Sequence, residues 1–461
     1  MPDQIKITSP IDDSAVGSVP ALSTDQVDAA LQTLQESQPG WASLSLDDRV
    51  QVLGQMAESL RDYANELADL LTREVGKTPK EAHDEVVRSA DLIDATAEAA
   101  TQLQPAILKA EDFPNTPKGR VQTVRQLPWG VVLAIAPFNY PVNLSVSKLA
   151  PALVMGNAVA FKPPTQGAVV ASRMVELFHE AGLPKDILKV ITGKTAEIGD
   201  HLVTHRAISA VNLTGSAEVG QHVAETTGMV PLLMELGGND PAVVLEDADL
   251  ALAAQYVAAG AFKYGGQRCT AVKRVYVAES VADQFITALV KERNDRFGTA
   301  GDPREHPIGP VISDQQADYL DDLMADATMK GGEVRCGGSR RGRVWEATLV
   351  DKLPHQSRLV QEEQFGPLLP IVRVKDAEEA LTLANDSEFG LGASLFTADQ
   401  KAGRALAERI QAGGVHLNGP DQRGPDNFLF TGLKESGLGA QGVGFALYAM
   451  SRPQGIVTNP T

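Results

Sequence analysis

Apolar positions in the first hundred residues recur at helical spacing. After a short extended start, Ser23 with Gln26 three residues on reads as a capping box, and Val27, Ala30, Leu31 and Leu34 then share one helical face. Val50, Leu53, Met56, Ala57, Leu60, Ala64, Leu67 and Leu71 form one longer apolar stripe that ends at Gly76. Thr78-Pro79-Lys80-Glu81 supplies an N-cap, a first-turn proline and a capping-box glutamate for a third helix running to about Leu103. From about Val121 the rhythm changes to short apolar runs at 131–137, 158–163, 188–192 and 208–215, separated by the helical patterns SVSKLAPALVM, GAVVASRMVELFHEAG and TAEIGDHLVTH. That alternation predicts parallel βαβ units and a doubly wound, nucleotide-binding α/β fold. A second series opens with PAVVLEDAD at 241–249, passes through a helix near Leu250–Tyr264 and continues with VKRVYVAES, LLPIVRV, GASLFT and GGVHLN. It predicts another α/β domain, with a boundary near Gly237-Gly238.

Composition narrows the class. The chain has 461 residues, long enough for two or three domains, with 43% hydrophobic and 22% charged residues. Disorder, collagen and coiled coil are excluded. Its 41 Lys and Arg against 59 Asp and Glu leave a formal charge of −18, which repels phosphate backbones and anionic lipid, so neither nucleic acid nor a membrane is expected as a partner. The N-terminal MPDQIKITSPIDDS lacks a basic flank with an apolar core, and no apolar run reaches the roughly 18 residues of a membrane helix. With only two cysteines, Cys269 and Cys336, the expectation is a cytoplasmic protein without a disulfide framework.

Several residues have the chemistry of a site. Cys269, in YGGQRCTA, is a thiol among small residues, where a substrate can approach; Cys336 reads as structural. Glu235 in MELGGND stands at a strand end before two glycines, a place for a carboxylate in a cleft or for an ordinary exposed glutamate. Asn139 and Tyr140 lie between prolines after a buried strand, where the Asn139 amide suits an oxyanion donor or a plain turn. Gly215, Ser216 and Gly220 in TGSAEVG mark a strand-to-helix turn whose amides suit a pyrophosphate, without the GxGxxG spacing. No His/Cys cluster stands out at metal-ligand spacing, and no metal is expected.

In order, PFNYP, FKPP, TGSAEVG, MELGG, GQRC and EEQFGP, spread over residues 137–367, resemble the motifs of the aldehyde dehydrogenase superfamily. More narrowly, FKPPTQG, GQRCTAVKRV and QRGPDNF resemble its NADP-dependent non-phosphorylating glyceraldehyde-3-phosphate dehydrogenases. The resemblance implies a Rossmann-type cofactor-binding domain of residues 1–110 and 129–237, an α/β catalytic domain of 238–445, and a small β oligomerisation extension of 111–128 and 446–461. It also implies a homotetramer, a dimer of dimers. Cys269 would be the nucleophile, Asn139 the oxyanion donor and Glu235 the base that activates water on the thioester. Lys162, Thr165, Gly215, Ser216, Glu363 and Phe365 would bind the cofactor. Thr165 stands where an NAD-preferring relative commonly has a glutamate, so NADP is expected, with NAD possible. Arg88, Tyr140, Arg268 and Arg423 would hold a substrate phosphate, since guanidinium forks pair with phosphate oxygens.

The expected reaction is therefore oxidation of glyceraldehyde 3-phosphate to 3-phosphoglycerate. The alternatives are succinic or another acidic semialdehyde as substrate, or a non-catalytic NADP-binding protein. Asn239 where many relatives carry lysine, Leu213 where phenylalanine is usual, and the segment just before Arg423 depart from the family pattern.

Overall fold

The computed structural model describes residues 3–116 and 118–459, so the last two positions of the expected 446–461 extension lie outside the described residues. The N-terminal helices are Thr24–Ser43, Leu46–Asp62, Ala64–Val75 and Pro79–Thr101. Both sequence-read capping boxes form, Ser23 with Gln26 and Thr78 with Glu81. The stripe from Val50 to Leu71, read as continuous, is two helices broken at Tyr63 (φ −102°, ψ 17°). Both pieces pack on Pro79–Thr101, so the apolar period runs on across a backbone break that it does not register. Gly76, at φ 71°, closes the second piece.

The first sheet has six strands in the order Gly437–Leu438, Leu232–Glu235, Ile208–Thr214, Val131–Ile135, Ala158–Lys162, Leu188–Val190. All neighbours are parallel except the 437–438 edge. From Val131–Ile135 the sheet grows one way through Ala158–Lys162 and the other way through Ile208–Thr214. The carboxyl ends of these strands therefore flank a topological switch point, where open α/β sheets bind ligands.

The second sheet has seven strands, ordered Glu333–Cys336, Thr348–Asp351, Leu368–Val374, Val272–Ala278, Asp240–Val244, Gly392–Phe396, Gly414–Leu417. A third, three-stranded antiparallel sheet joins Ser451–Thr458, Val121–Pro128 and Ala106–Lys109. Ile107, Leu108, Ile456 and Val457 are exposed on it.

The chain leaves the first sheet after Glu235 and enters the second at Asp240. The expected 238–445 unit is nevertheless crossed. Gly437 pairs with Glu235 and Leu438 with Met234, while Val443, Leu447 and Met450 pack in the core of the first sheet. The strand that ends in Glu235 is thus braced by a segment two hundred residues later. Among the described residues no helix is long and apolar enough to cross a membrane.

Candidate active site

Cys269 follows the helix Leu250–Phe262 through a tight turn in which Tyr264, Gly265 and Gly266 all have positive φ (52°, 57°, 72°). The turn is held from outside itself. The Tyr264 amide donates to Glu81 at 3.0 Å, its hydroxyl donates to the Val75 carbonyl at 2.8 Å, and Gln267 Oε1 accepts from the Ile312 amide at 2.9 Å. Behind the thiol, Lys273 Nζ donates to the Cys269 carbonyl at 3.0 Å, the Gly238 carbonyl at 2.9 Å and Glu363 Oε1 at 3.1 Å.

Glu235 is buried and neither of its carboxyl oxygens has a hydrogen-bond partner. Burial first, then the adjacent Glu235 carboxylate, push the Cys269 thiol well above its ordinary pKa. The Asn139 amide donates to the Gln267 carbonyl at 3.1 Å, which orients it beside the same loop. Lys148, which the sequence reading overlooked, is buried with its amine donating to Thr214 Oγ1 at 2.6 Å. Burial lowers its pKa to about 7, against the opposing pull of Glu235. Its signal in the sequence was a lysine inside the otherwise apolar SVSKLAPALVM.

A cleft of about 1040 Å³ opens at the switch point. Asn139, Lys162, Gly215, Ser216, Cys269, Glu363 and Phe365 all border it. Ser216 caps the helix Ala217–Thr226, its hydroxyl accepting the Val219 amide at 3.3 Å, so that an N-terminal turn borders the cleft. Lys162 is nearly buried, and burial alone lowers its pKa. Glu363 Oε1 accepts the Gly238 amide at 3.1 Å. A Cβ on Gly237 would come within 2.5 Å of Glu363 Oε2, which is why this approach needs glycine. Phe365, at φ 47°, meets Phe138 edge-on with centroids 5.9 Å apart.

Thr165 departs from expectation: it is exposed beyond Pro164, which borders the cleft in its stead. Its carbonyl accepts the Ala168 amide at 3.3 Å, turning the chain away into the next helix. Thr195 and Ala196, at the start of the helix Thr195–Val203, border the cleft and were not singled out from the sequence.

The four residues expected at a substrate phosphate lie outside this cleft. Arg88 is already paired, its Nε and a terminal nitrogen each 2.9 Å from Asp426, and it donates to the Arg423 carbonyl at 3.0 Å. That engagement departs from a free phosphate-binding fork. Its signal was available as the aspartate three residues after Arg423. Arg423 stacks over Phe430 at 5.2 Å and keeps one buried terminal nitrogen without a partner. Arg268 is buried and bonds the Gly260 carbonyl, while its Nε has no partner. Tyr140 packs edge-on with Tyr264 and under the Lys77 ammonium, 3.5 Å from its ring centroid. Lys77 in turn pairs with buried Glu85, which accepts the amides of Val142 and Asn143 at 2.9 and 3.0 Å.

One grouping went unrecognised in the sequence: Asp28, His201 and His205 come together on the far side of the helix Thr195–Val203, with His201 and His205 four residues apart. His205 Nδ1 accepts the Ala207 amide at 3.1 Å. The proton of the neutral ring then sits on Nε2, facing Asp28 Oδ1 at 3.4 Å, and the three side chains form a hydrogen-bonded cluster.

A thiol beside an unpartnered carboxyl, at the edge of a nucleotide-sized cleft on a sheet switch point, is the arrangement of a dehydrogenase that works through a covalent cysteine adduct. The chain belongs to the aldehyde dehydrogenase family, which residues 1–456 match. It is 43% identical over 450 residues to an NADP-dependent glyceraldehyde-3-phosphate dehydrogenase of Streptococcus equinus, spanning 97% of this chain and 94% of that one. It is also similar to a sulfoacetaldehyde dehydrogenase of Neptuniibacter caesariensis, at 32% identity over 99% of this chain and 100% of that one. The crystal structure of NADP-dependent glyceraldehyde-3-phosphate dehydrogenase from Bacillus halodurans complexed with NADP superposes with a TM-score of 0.97 at 42% identity, covering 99% of this chain and 96% of that one.

Proposed function

We propose that this enzyme oxidises glyceraldehyde 3-phosphate to 3-phosphoglycerate with NADP, through a thioester on Cys269 that water hydrolyses. The observation that carries the substrate reading is the pair Arg268 and Arg423. Both keep a buried guanidinium nitrogen without a partner, in a chain of net charge −18. Two uncompensated buried donors in an acidic protein favour an anionic ligand. The relatives named for glyceraldehyde 3-phosphate support this choice.

The cleft fits the cofactor. Its volume suits a dinucleotide, a capped helix start at Ser216 suits the pyrophosphate, and Lys162 with the helix start at Thr195 and Ala196 suits a 2′-phosphate. A threonine at 165 in place of a glutamate leaves no carboxylate there to repel that phosphate. Glu363 would bond the nicotinamide ribose, and Phe365 would pack near the ring. The nicotinamide, when bound, accepts the hydride.

The remaining steps belong to this chain. The Cys269 sulfur adds to the aldehyde carbon as thiolate, its proton having passed to water in the cleft that it borders, and the Asn139 amide and the Cys269 amide bond the oxyanion that forms. After hydride departure the thioester remains. Glu235 takes a proton from water as it attacks, Cys269 leaves as thiolate, and the acid is released. Lys148, buried with its pKa lowered to about 7, feels the Glu235 charge while its amine donates to Thr214 Oγ1.

Tyr140 and Arg88 complete the phosphate pocket, Arg88 by fixing the Arg423 loop through Asp426. The enzyme assembles as a homotetramer through the exposed sheet that contains Ser451–Thr458, and works in the cytoplasm; light scattering on the purified chain tests the assembly. A sulfoacetaldehyde-like or succinic semialdehyde substrate is the second reading, favoured by the Neptuniibacter relative. The deciding assay measures NADPH formation with glyceraldehyde 3-phosphate in the absence of inorganic phosphate, beside NAD and succinic semialdehyde. Rapid NADPH formation with 3-phosphoglycerate as product is expected. Turnover of the semialdehyde alone would overturn the substrate.

A further inference from the structure

Beneath the nucleophile's loop lie two carboxyl groups that the reaction above does not use. Asp240 opens the strand Asp240–Val244, and Asp421 follows the strand Gly414–Leu417; the strand Gly392–Phe396 runs between them. They are 1% and 3% exposed. Both converge on Gly392, where a Cβ would meet Asp421 Oδ1 at 2.4 Å and Asp240 Oδ2 at 2.8 Å. Neither oxygen of Asp240 has a hydrogen-bond partner, nor has Asp421 Oδ2. Two ionised carboxylates in this position would only accept and repel, whereas one proton between them satisfies both.

The pair joins two segments of the site. A Cβ on Gly238 would meet Asp240 Oδ1 at 2.7 Å and the Cys269 carbonyl at 2.8 Å, so Asp240 and the nucleophile's backbone close in on the one position that a glycine leaves open. Asp421 stands two residues before Arg423. We propose that Asp240 and Asp421 share one proton and thereby act as positioning residues, tying the Arg423 loop to the loop of Cys269. The positioning half rests on the reading of Arg423 as a phosphate ligand.

Basic side chains face the pair. Lys273 and Arg268 approach from the Cys269 side, and His416 Nε2 lies 3.8 Å from Asp421 Oδ1. Burial pushes Asp421 up to about 6, and burial together with the facing Asp421 charge pushes Asp240 well above the ordinary carboxyl range. Burial and mutual repulsion thus both favour one proton held by the pair over two ionised carboxylates. Loss of the shared proton leaves like charges in contact and frees the Arg423 loop.

The test has two readouts on the full-length enzyme. The first is the infrared carbonyl stretch of a protonated carboxylic acid at pH 7.5. The difference between wild type and Asp421→Asn isolates the pair from Glu74, whose carboxyl burial also pushes up. A band present in wild type and absent from Asp421→Asn and Asp240→Asn is expected; its absence from wild type overturns the shared proton. The second readout is kinetic. Asp421→Ala should raise KM for glyceraldehyde 3-phosphate about ten-fold, as loss of one charged hydrogen bond does, with little change in kcat. Asp421→Asn, whose amide can donate to an ionised Asp240, should restore KM toward the wild-type value. Unchanged KM in Asp421→Ala, with the band present, overturns the positioning role. A wild-type enzyme that shows the band but ignores glyceraldehyde 3-phosphate supports the shared proton and refutes the substrate reading alone.

Discussion

Arg423→Ala separates recognition of the phosphate from the chemistry at Cys269. In the folded chain the Arg423 guanidinium rests on Phe430 with its Nε 3.9 Å from Asp426, and a terminal nitrogen remains buried and unpartnered. That nitrogen is the one free to bond a phosphate oxygen. A hydrogen bond to a charged group contributes about 1.5–3 kcal/mol. At about 1.36 kcal/mol per factor of ten, its loss should lower kcat/KM for glyceraldehyde 3-phosphate by about 10- to 150-fold. D-Glyceraldehyde, which has the same reacting carbon and no phosphate, should lose less than about three-fold, because the Cys269 loop is held by Lys273, Gln267 and Tyr264 and not by Arg423. The assay is initial-rate NADPH formation with both aldehydes on wild type and variant. An equal loss on both would refute the reasoning, since it would mean that Arg423 supports the fold or the nucleophile instead of the phosphate.

Three further outcomes follow from the site. Glu235→Gln should give a burst of about one NADPH per site followed by turnover slowed by about 10²- to 10⁴-fold, and stopped-flow traces without a burst would show that Glu235 acts before hydride transfer. The same variant removes the charge that raises the Cys269 thiol, so iodoacetamide should inactivate it at a lower pH than it does wild type. Lys148 has its folded pKa lowered from 10.5 to about 7, so between those values the unfolded chain binds the extra proton and the Lys148 contribution to unfolding free energy rises with pH. Lys148→Met should flatten that rise, read as a smaller gain in denaturation midpoint from pH 7 to pH 9 than wild type shows.

The sequence by itself determined most of the secondary structure. A run such as Val131–Ile135 lies inside a parallel sheet with both faces covered, and that burial writes itself as uninterrupted apolar residues between helical patterns. The capping boxes at Ser23 and Thr78 are local hydrogen-bond chemistry and were equally legible. Ordered motifs likewise picked out Cys269, Glu235, Asn139, Lys162, Ser216 and Glu363 as candidates.

Only the tertiary structure decided which charges those residues meet. Whether Arg88 is free or held depends on Asp426, 338 residues away. The break at Tyr63 left no mark on the apolar period because both helices bury the same face. The same holds for the return of Gly437–Leu438 to the strand of Glu235, and for Asp240 meeting Asp421 under Gly392. A pattern of apolar residues encodes which side of an element faces inward. It does not encode which distant group waits there, and for ionisable side chains that partner, through burial and charge, sets the protonation state and so the chemistry.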